Sequence, residues 1–186
     1  SLLKDTASTV NPQGILAIVK ETIFKGDDFY SKADKILLLD RIQDPGNMGT
    51  IIRTAVAAGF DGIIALKGSV DIYNQKVIRA TMGGIFSIPI RQKLSRDKFM
   101  KEISEQAAEY ELLAADIKAD EYHFEHKYKD KLILMIGNEA NGLNQKLLKK
   151  ADAEVKIPLA GEIESLNAAV AASVIAFEIL SQTIKN

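Results

Sequence analysis

The chain has no cysteine. That excludes disulfides, cysteine nucleophiles and thiolate metal sites, and it fits a cytoplasmic setting. Histidine is scarce too: only His123 and His126 occur, in a stretch dense with Lys and Glu. Their spacing could set two imidazoles on one helical face. A zinc site takes three or four ligands, however, so no metal is expected and the pair reads as solvent-exposed. No Gly-x-Ser-x-Gly elbow is present and neither histidine adjoins a nucleophile, so Ser–His hydrolysis lacks its parts. Nor is there an excess of either charge. A formal net charge of -1 gives no general attraction to nucleic acid, and RNA binding must come from local features. The start of the chain lacks a basic-then-apolar targeting pattern. The apolar run 166–180 is shorter than the roughly 20 residues that span a bilayer and contains Glu178, so no membrane partner is expected. No internal repeat or low-complexity tract interrupts the chain.

With 47% hydrophobic residues, the 186-residue chain can bury the core of one medium domain. Residues 1–13 are polar and turn-like, broken by Asn11-Pro12. Residues 14–20, GILAIVK, read as a strand. A polar loop running straight into a strand suggests that 1–13 are the remnant of a linker to a missing preceding domain, with one domain over 14–186. From residue 36 the rhythm is strand, loop, helix. Strands are expected at 36–40, 62–66, 85–90, 111–115, 132–136 and near Val155, and helices at 48–58, 74–81, 97–108, 143–150 and after Asn167. Short apolar runs alternating with helices predict an α/β fold with a mostly parallel sheet of about six strands, flanked by helices. Ligands in such folds sit beyond the carboxyl ends of strands. The loops after Asp40, Ile136 and Leu159 are therefore the places to look.

In the first loop, Asp44, Pro45 and Gly46 make a turn and Asn47 can cap the helix that follows. On that helix Met48, Ile51, Ile52, Ala55 and Gly59 recur at helical spacing, while Thr50 and Arg53 lie on the other side. By periodicity alone Arg53 faces solvent and Asn47 is a cap. The second loop, GNEANG at 137–142, is neither a Walker loop nor GxGxxG. Its two glycines allow close backbone approach, and Glu139 can accept from a hydroxyl. It reads equally as a plain turn. In the third, Gly161, Glu162 and Glu164 precede Ser165, Leu166 and Asn167, and both Ser165 and Asn167 can cap the alanine-rich helix. Thr81-Met82-Gly83-Gly84 is a fourth flexible turn. The basic stretches 91–101 and 146–150 could meet phosphates or be a solvated face.

Taken together these loops resemble the three motifs of the SpoU (TrmH) family of RNA ribose 2′-O-methyltransferases, in the SPOUT superfamily. The matching segments are DRIQDPGNMGTIIRTAVAAGF, LILMIGNEANGL and VKIPLAGEIESLNAAVAASVIAFE, and the likeness covers about residues 36–184. The resemblance implies a SPOUT-type fold with a C-terminal deep trefoil knot, which periodicity could not have shown. It implies a homodimer that takes S-adenosyl-L-methionine as methyl donor and acts on RNA, either rRNA or tRNA. Carried over by motif, Gly137, Asn138, Ile157, Leu159 and Leu166 would bind the cofactor, with Thr81, Met82 and Gly83 lining the same pocket. Asn47, Arg53, Glu139, Ser165 and Asn167 match the family's functional polar positions, and Arg53 would reach the reaction centre across or near the dimer interface. It also implies an N-terminal RNA-binding domain ahead of the linker. Two other readings remain at this stage: a SPOUT-like enzyme that methylates a base nitrogen, and a non-catalytic RNA-binding module.

Overall fold

The structure is a computed structural model that describes residues 17–20 and 26–185. Its centre is a parallel sheet of seven strands in the order β3-β2-β1-β6-β4-β7-β5. These are β1 (Lys35–Leu39), β2 (Gly62–Leu66), β3 (Ile90–Leu94), β4 (Glu111–Ala115), β5 (Glu121–Tyr122), β6 (Leu132–Ile136) and β7 (Ala153–Lys156). The helices are α1 (Gly26–Tyr30), α2 (Pro45–Ala57), α3 (Gln75–Ala80), α4 (Arg96–Gln106), α5 (Gln145–Leu148) and α6 (Ala168–Lys185). Strand β1 lies between β2 and β6, with Leu37 opposite both Ile63 and Leu134. Both sheet faces are covered, which is why β1, β2 and β6 are apolar without alternation.

Two cores result. Leu37, Leu39, Ile63, Leu134 and Val155 meet α2 and α6 on one face, while Ile36, Leu38, Ile64, Ile133 and Met135 meet α1, α4 and α5 on the other. Helix α6 is apolar enough on average to pass for a membrane span. It is instead a core helix: Ala168, Ala172, Ile175, Ala176 and Ile179 are buried. Its alanines let it approach α2, where Thr54 Oγ1 and Ser173 Oγ lie 3.0 Å apart.

Several expectations are corrected. Residues 14–16 lie outside the described residues, as do 1–13, and 17–20 form no strand, with Ile18 96% exposed. The strand expected at 85–90 is displaced: Gly84–Phe86 is a 3-10 turn entered through Gly83 at φ 88, and β3 begins at Ile90. Charge hid that strand from an apolar pattern. Arg91 is buried on β3 because Glu102 of α4 takes both its guanidinium ends, at 2.7 and 3.0 Å. The seventh strand, β5, has two residues, too few for any periodicity. Helix α5 is shorter than 143–150 because Asn144 caps it, its side chain accepting from Lys146 N. Gly59 is not on the buried face of α2; at φ 72 it follows the C-cap in the left-handed conformation that ends helices. The histidines are buried, not exposed. His126 Nδ1 lies 2.8 Å from Glu121 Oε2, and His123 Nδ1 lies 3.4 Å from Lys156 O. Packing of 115–131 over the edge of the sheet decided this.

Candidate active site

A cleft of about 520 Å³ opens beyond the carboxyl ends of β4, β6 and β7, within the usual range for small-molecule sites. Three segments wall it: 115–118 after β4, 136–143 after β6, and 155–168 leading from β7 into α6. The parallel sheet explains the convergence, since parallel strands put all their carboxyl ends on one edge.

The loop after β6 folds tightly on itself. A Cβ added at Gly137 would lie 2.2 Å from both Gly142 C and Leu143 N, so only glycine fits there. Gly142 N donates to Asn138 O at 2.7 Å, and Asn138 Oδ1 accepts from Ala140 N at 2.9 Å. The turn thus satisfies its own backbone and presents Glu139 at its tip. Gly142 itself sits at φ 60, a conformation that favours glycine.

A polar chain joins the loops at the rim. Asn47 Nδ2 donates to Glu139 Oε1, and Asn167 Nδ2 donates to Asn47 Oδ1 at 2.9 Å. Asn167 also caps α6, its Oδ1 accepting from Ala169 N at 2.9 Å and Val170 N at 3.2 Å. Asn47, by contrast, is not the cap of α2. Asp44 is, accepting from Asn47 N at 2.7 Å with Pro45 in the first helical position. The Asn47 side chain is thereby released to link Glu139 and Asn167.

Of the expected cofactor contacts, Gly137, Asn138, Ile157, Leu159 and Leu166 line the cleft, together with Glu139 and Ser165. Ser165 is not a cap; its hydroxyl has no partner among the described residues. Thr81, Met82 and Gly83 are not at the cleft. Thr81 is buried with its hydroxyl donating to Ile78 O at 2.8 Å, and Met82 is 74% exposed at φ 50. Their turn packs instead on α2, where a Cβ at Gly84 would lie 3.6 Å from Arg53 Cα. Arg53 is exposed, makes no hydrogen bond or ion pair among the described residues, and does not line the cleft. Six residues on from Asn47, it stands roughly 9 Å along the helix and about 120° around it. Within one chain the two do not converge.

Sequence reasoning missed two parts of the site. Asp116, Ile117 and Lys118 line the cleft although the segment carries no glycine or motif to mark it as a ligand loop. The strand-end rule alone would have flagged them. Asp40 was used only to mark a strand end, yet it is fully buried and accepts from Arg96 Nε and Nη2 at 2.9 and 2.7 Å.

The donor set suits a zwitterionic ligand with an apolar body. Asp116, Glu139 and Glu164 offer carboxylates to a cation, Lys118 and Lys156 face the same cleft, and Ile157, Leu159 and Leu166 supply apolar wall. S-adenosylmethionine, with its sulfonium, amino acid and adenine, has that character.

A model of the SpoU rRNA Methylase family matches residues 34–177, a span that contains α2, the 137–142 loop and the segment before α6. The chain belongs to the SpoU rRNA methylase family. It is 33% identical over 171 residues to the 23S rRNA (guanosine(2553)-2'-O)-methyltransferase RlmP of Bacillus subtilis (strain 168), covering 92% of this chain and 66% of that one. Among solved SpoU-family structures it resembles the methyltransferase AviRb of Streptomyces viridochromogenes in complex with AdoMet, with 34% identity and a TM-score of 0.77 over 83% of this chain. An AdoMet-bound rRNA methyltransferase of Sinorhizobium meliloti is similar at 33% identity and TM-score 0.79 over 86% of this chain. The chain spans 60% and 61% of those two proteins. Within this SpoU-family fold, the cleft beyond the strand ends is the feature of this chain on which a functional reading rests.

Proposed function

We propose that the protein transfers the methyl group of S-adenosylmethionine to a ribose 2′-hydroxyl of rRNA or tRNA, acting as a homodimer in the cytoplasm with its C-terminal segment threaded as a trefoil knot. The observation that carries this reading is the convergence of the second and third motif-bearing segments on the cleft, with Asn47 of the first motif hydrogen-bonded to Glu139 and Asn167 at its rim. Bound S-adenosylmethionine supplies an electrophilic methyl carbon, so the protein's task is mainly alignment and help with the departing proton.

Gly137 and its neighbours let backbone approach the cofactor, and Ile157, Leu159 and Leu166 enclose its apolar parts. Glu139 is held at the rim by Asn47, and Ser165 offers an unengaged hydroxyl beside it. Arg53 is an exposed cation with no hydrogen bond or ion pair among the described residues. A guanidinium keeps its proton and is no general base, so the part of Arg53 is to bind the target phosphate and stabilise the alkoxide developing on O2′. The proton then leaves to phosphate or water.

Arg53 stands off its own cleft, which favours delivery by a second copy. Two exposed apolar features support such an interface. Val170, Val174 and Phe177 form a stripe on α6, and Met82 and Phe86 are exposed on the turn whose Gly84 packs against Arg53. The test is direct. Wild-type protein should sediment as a dimer, bind S-adenosylmethionine in calorimetry, and leave methylated RNA resistant to alkaline cleavage at one nucleotide. Arg53→Ala should lose that activity and keep cofactor affinity. Undiminished activity would overturn the role of Arg53, and methylated RNA still cleaved at its modified nucleotide would point to a base nitrogen instead.

A further inference from the structure

The cofactor loop is gripped from outside by two residues at the end of β1. Asp40 N donates to Ile136 O at 2.9 Å, immediately before the loop begins. Asp40 Oδ2 accepts from Asn144 N at 3.0 Å, immediately after it ends. Arg41 O accepts from Asn138 Nδ2 at 3.1 Å, and Arg41 Nη2 reaches Gly142 O at 3.4 Å. Four bonds from one dipeptide therefore meet both ends and both flanks of a loop that itself carries Glu139.

Two further observations show that this grip is built rather than incidental. Arg41 has φ 61, a left-handed conformation that a side-chain-bearing residue rarely keeps unless its surroundings over-determine it. That twist allows its carbonyl and its guanidinium to reach the same loop. The carboxylate of Asp40 is wholly buried, and a buried charge persists only when paired. Arg96, at the start of α4, supplies the pair with Nε and Nη2 on Oδ1, leaving Oδ2 for Asn144. Arg41 Nε lies 3.6 Å from the same Oδ2.

We propose that Asp40 and Arg41, backed by Arg96, form a clamp that holds the 137–143 loop in its ligand-binding shape, making Asp40 a positioning residue for the cofactor and for Glu139. The proposal rests on the functional reading above for the ligand but not for the loop. An amide at position 40 offers only one acceptor oxygen, so either Arg96 or Asn144 N–H must lose its partner.

Amide hydrogen exchange on the ligand-free protein reads the clamp directly. In Asp40→Asn the amides of Gly142 and Asn144 should exchange at least tenfold faster, while those of Gly62–Leu66 keep wild-type rates. Calorimetry with S-adenosylmethionine should show a dissociation constant at least tenfold higher. Arg41→Met, at a side chain 30% exposed, is the milder variant should Asp40→Asn fail to fold, and it should loosen the same two amides. Phe60→Leu, buried in the core on the other face of the sheet from Leu143, is the control for general destabilisation and should leave both amides and the affinity unchanged at matched stability. Wild-type exchange at Gly142 and Asn144 in both clamp variants would overturn the proposal, as would equal loosening in the Phe60 control. If the wild type fails to bind S-adenosylmethionine, the functional reading falls, and the exchange rates still decide the clamp.

Discussion

Replacing Gly137 with alanine should damage the cleft far more than one methyl group suggests. The added Cβ would sit 2.2 Å from Gly142 C and Leu143 N and 2.5 Å from Gly142 O, where real Cβ contacts essentially never fall below 3.0 Å. All three atoms are backbone, so no flexible side-chain end can swing aside. The opposing segment must retreat by roughly 1 Å, far enough to disrupt close-packed contacts. It has little room, because Leu143 is buried, Asn144 N is tied to Asp40, and Gly142 N is tied to Asn138 O. Overpacking of this kind costs about 1–3 kcal/mol. For a chain of this length that amounts to a melting temperature lower by about 2–12 °C. Because the loop lines the cleft, affinity for S-adenosylmethionine should fall at least tenfold, about 1.4 kcal/mol.

Gly161→Ala is the matched control. Nothing lies within 4 Å of a Cβ there, so its stability should stay within about 0.5 kcal/mol of wild type. Circular-dichroism melts and calorimetry on the three proteins check both quantities. A Gly137→Ala protein that melts and binds like wild type would refute the packing argument.

Asn167→Ala should cost about 1 kcal/mol from the lost cap of α6, seen as a lower melting temperature, and it also frees Asn47 from its partner at the rim. The buried Arg91–Glu102 pair predicts acid sensitivity. Burial alone would raise the Glu102 carboxyl, but hydrogen bonding and charge from Arg91 hold it below its ordinary value. A folded-state pKa below the unfolded one contributes stability that is present above the ordinary carboxylate range and lost as pH falls through the folded value. Glu102→Gln should therefore flatten the acid limb of a stability–pH curve measured by urea unfolding. At the alkaline end, burial followed by the charges of Asp34, Glu109 and Asp61 pushes Tyr110 up to about 12. Raised in the fold, it contributes stability that is complete below the ordinary phenol range and lost as pH rises through about 12. Tyrosinate absorbance should rise together with loss of helix signal, and Tyr110→Phe should move the two apart.

Much of this protein was legible in its residues. The apolar runs at 36–40, 62–66, 111–115 and 132–136 named the central strands, because strands buried on both faces carry a signal that needs no partner to be read. The order of the three motifs named the family, and the loops they marked include Gly137 and Glu139 at the cleft and Asn167 hydrogen-bonded to Asn47. What stayed hidden depended on neighbours distant in sequence. Strand β3 could not be seen because its charge is cancelled by Glu102 on another element. Asn47 read as a cap until Asp44 was found in that role, leaving Asn47 free to bridge Glu139 and Asn167, 92 and 120 residues away. Thr81, Met82 and Gly83 were expected to line the cofactor pocket, yet their turn packs against α2, since a flexible turn carries no record of what it will face. By itself the sequence determined the central strands, the main helices and the family, all of which follow from local pattern and order. Only the tertiary structure decided which loops meet at the cleft, that Arg53 stands apart from it within one chain, and that the end of β1 grips the loop after β6. Those are matters of which strand ends lie side by side, and the sheet order sets them.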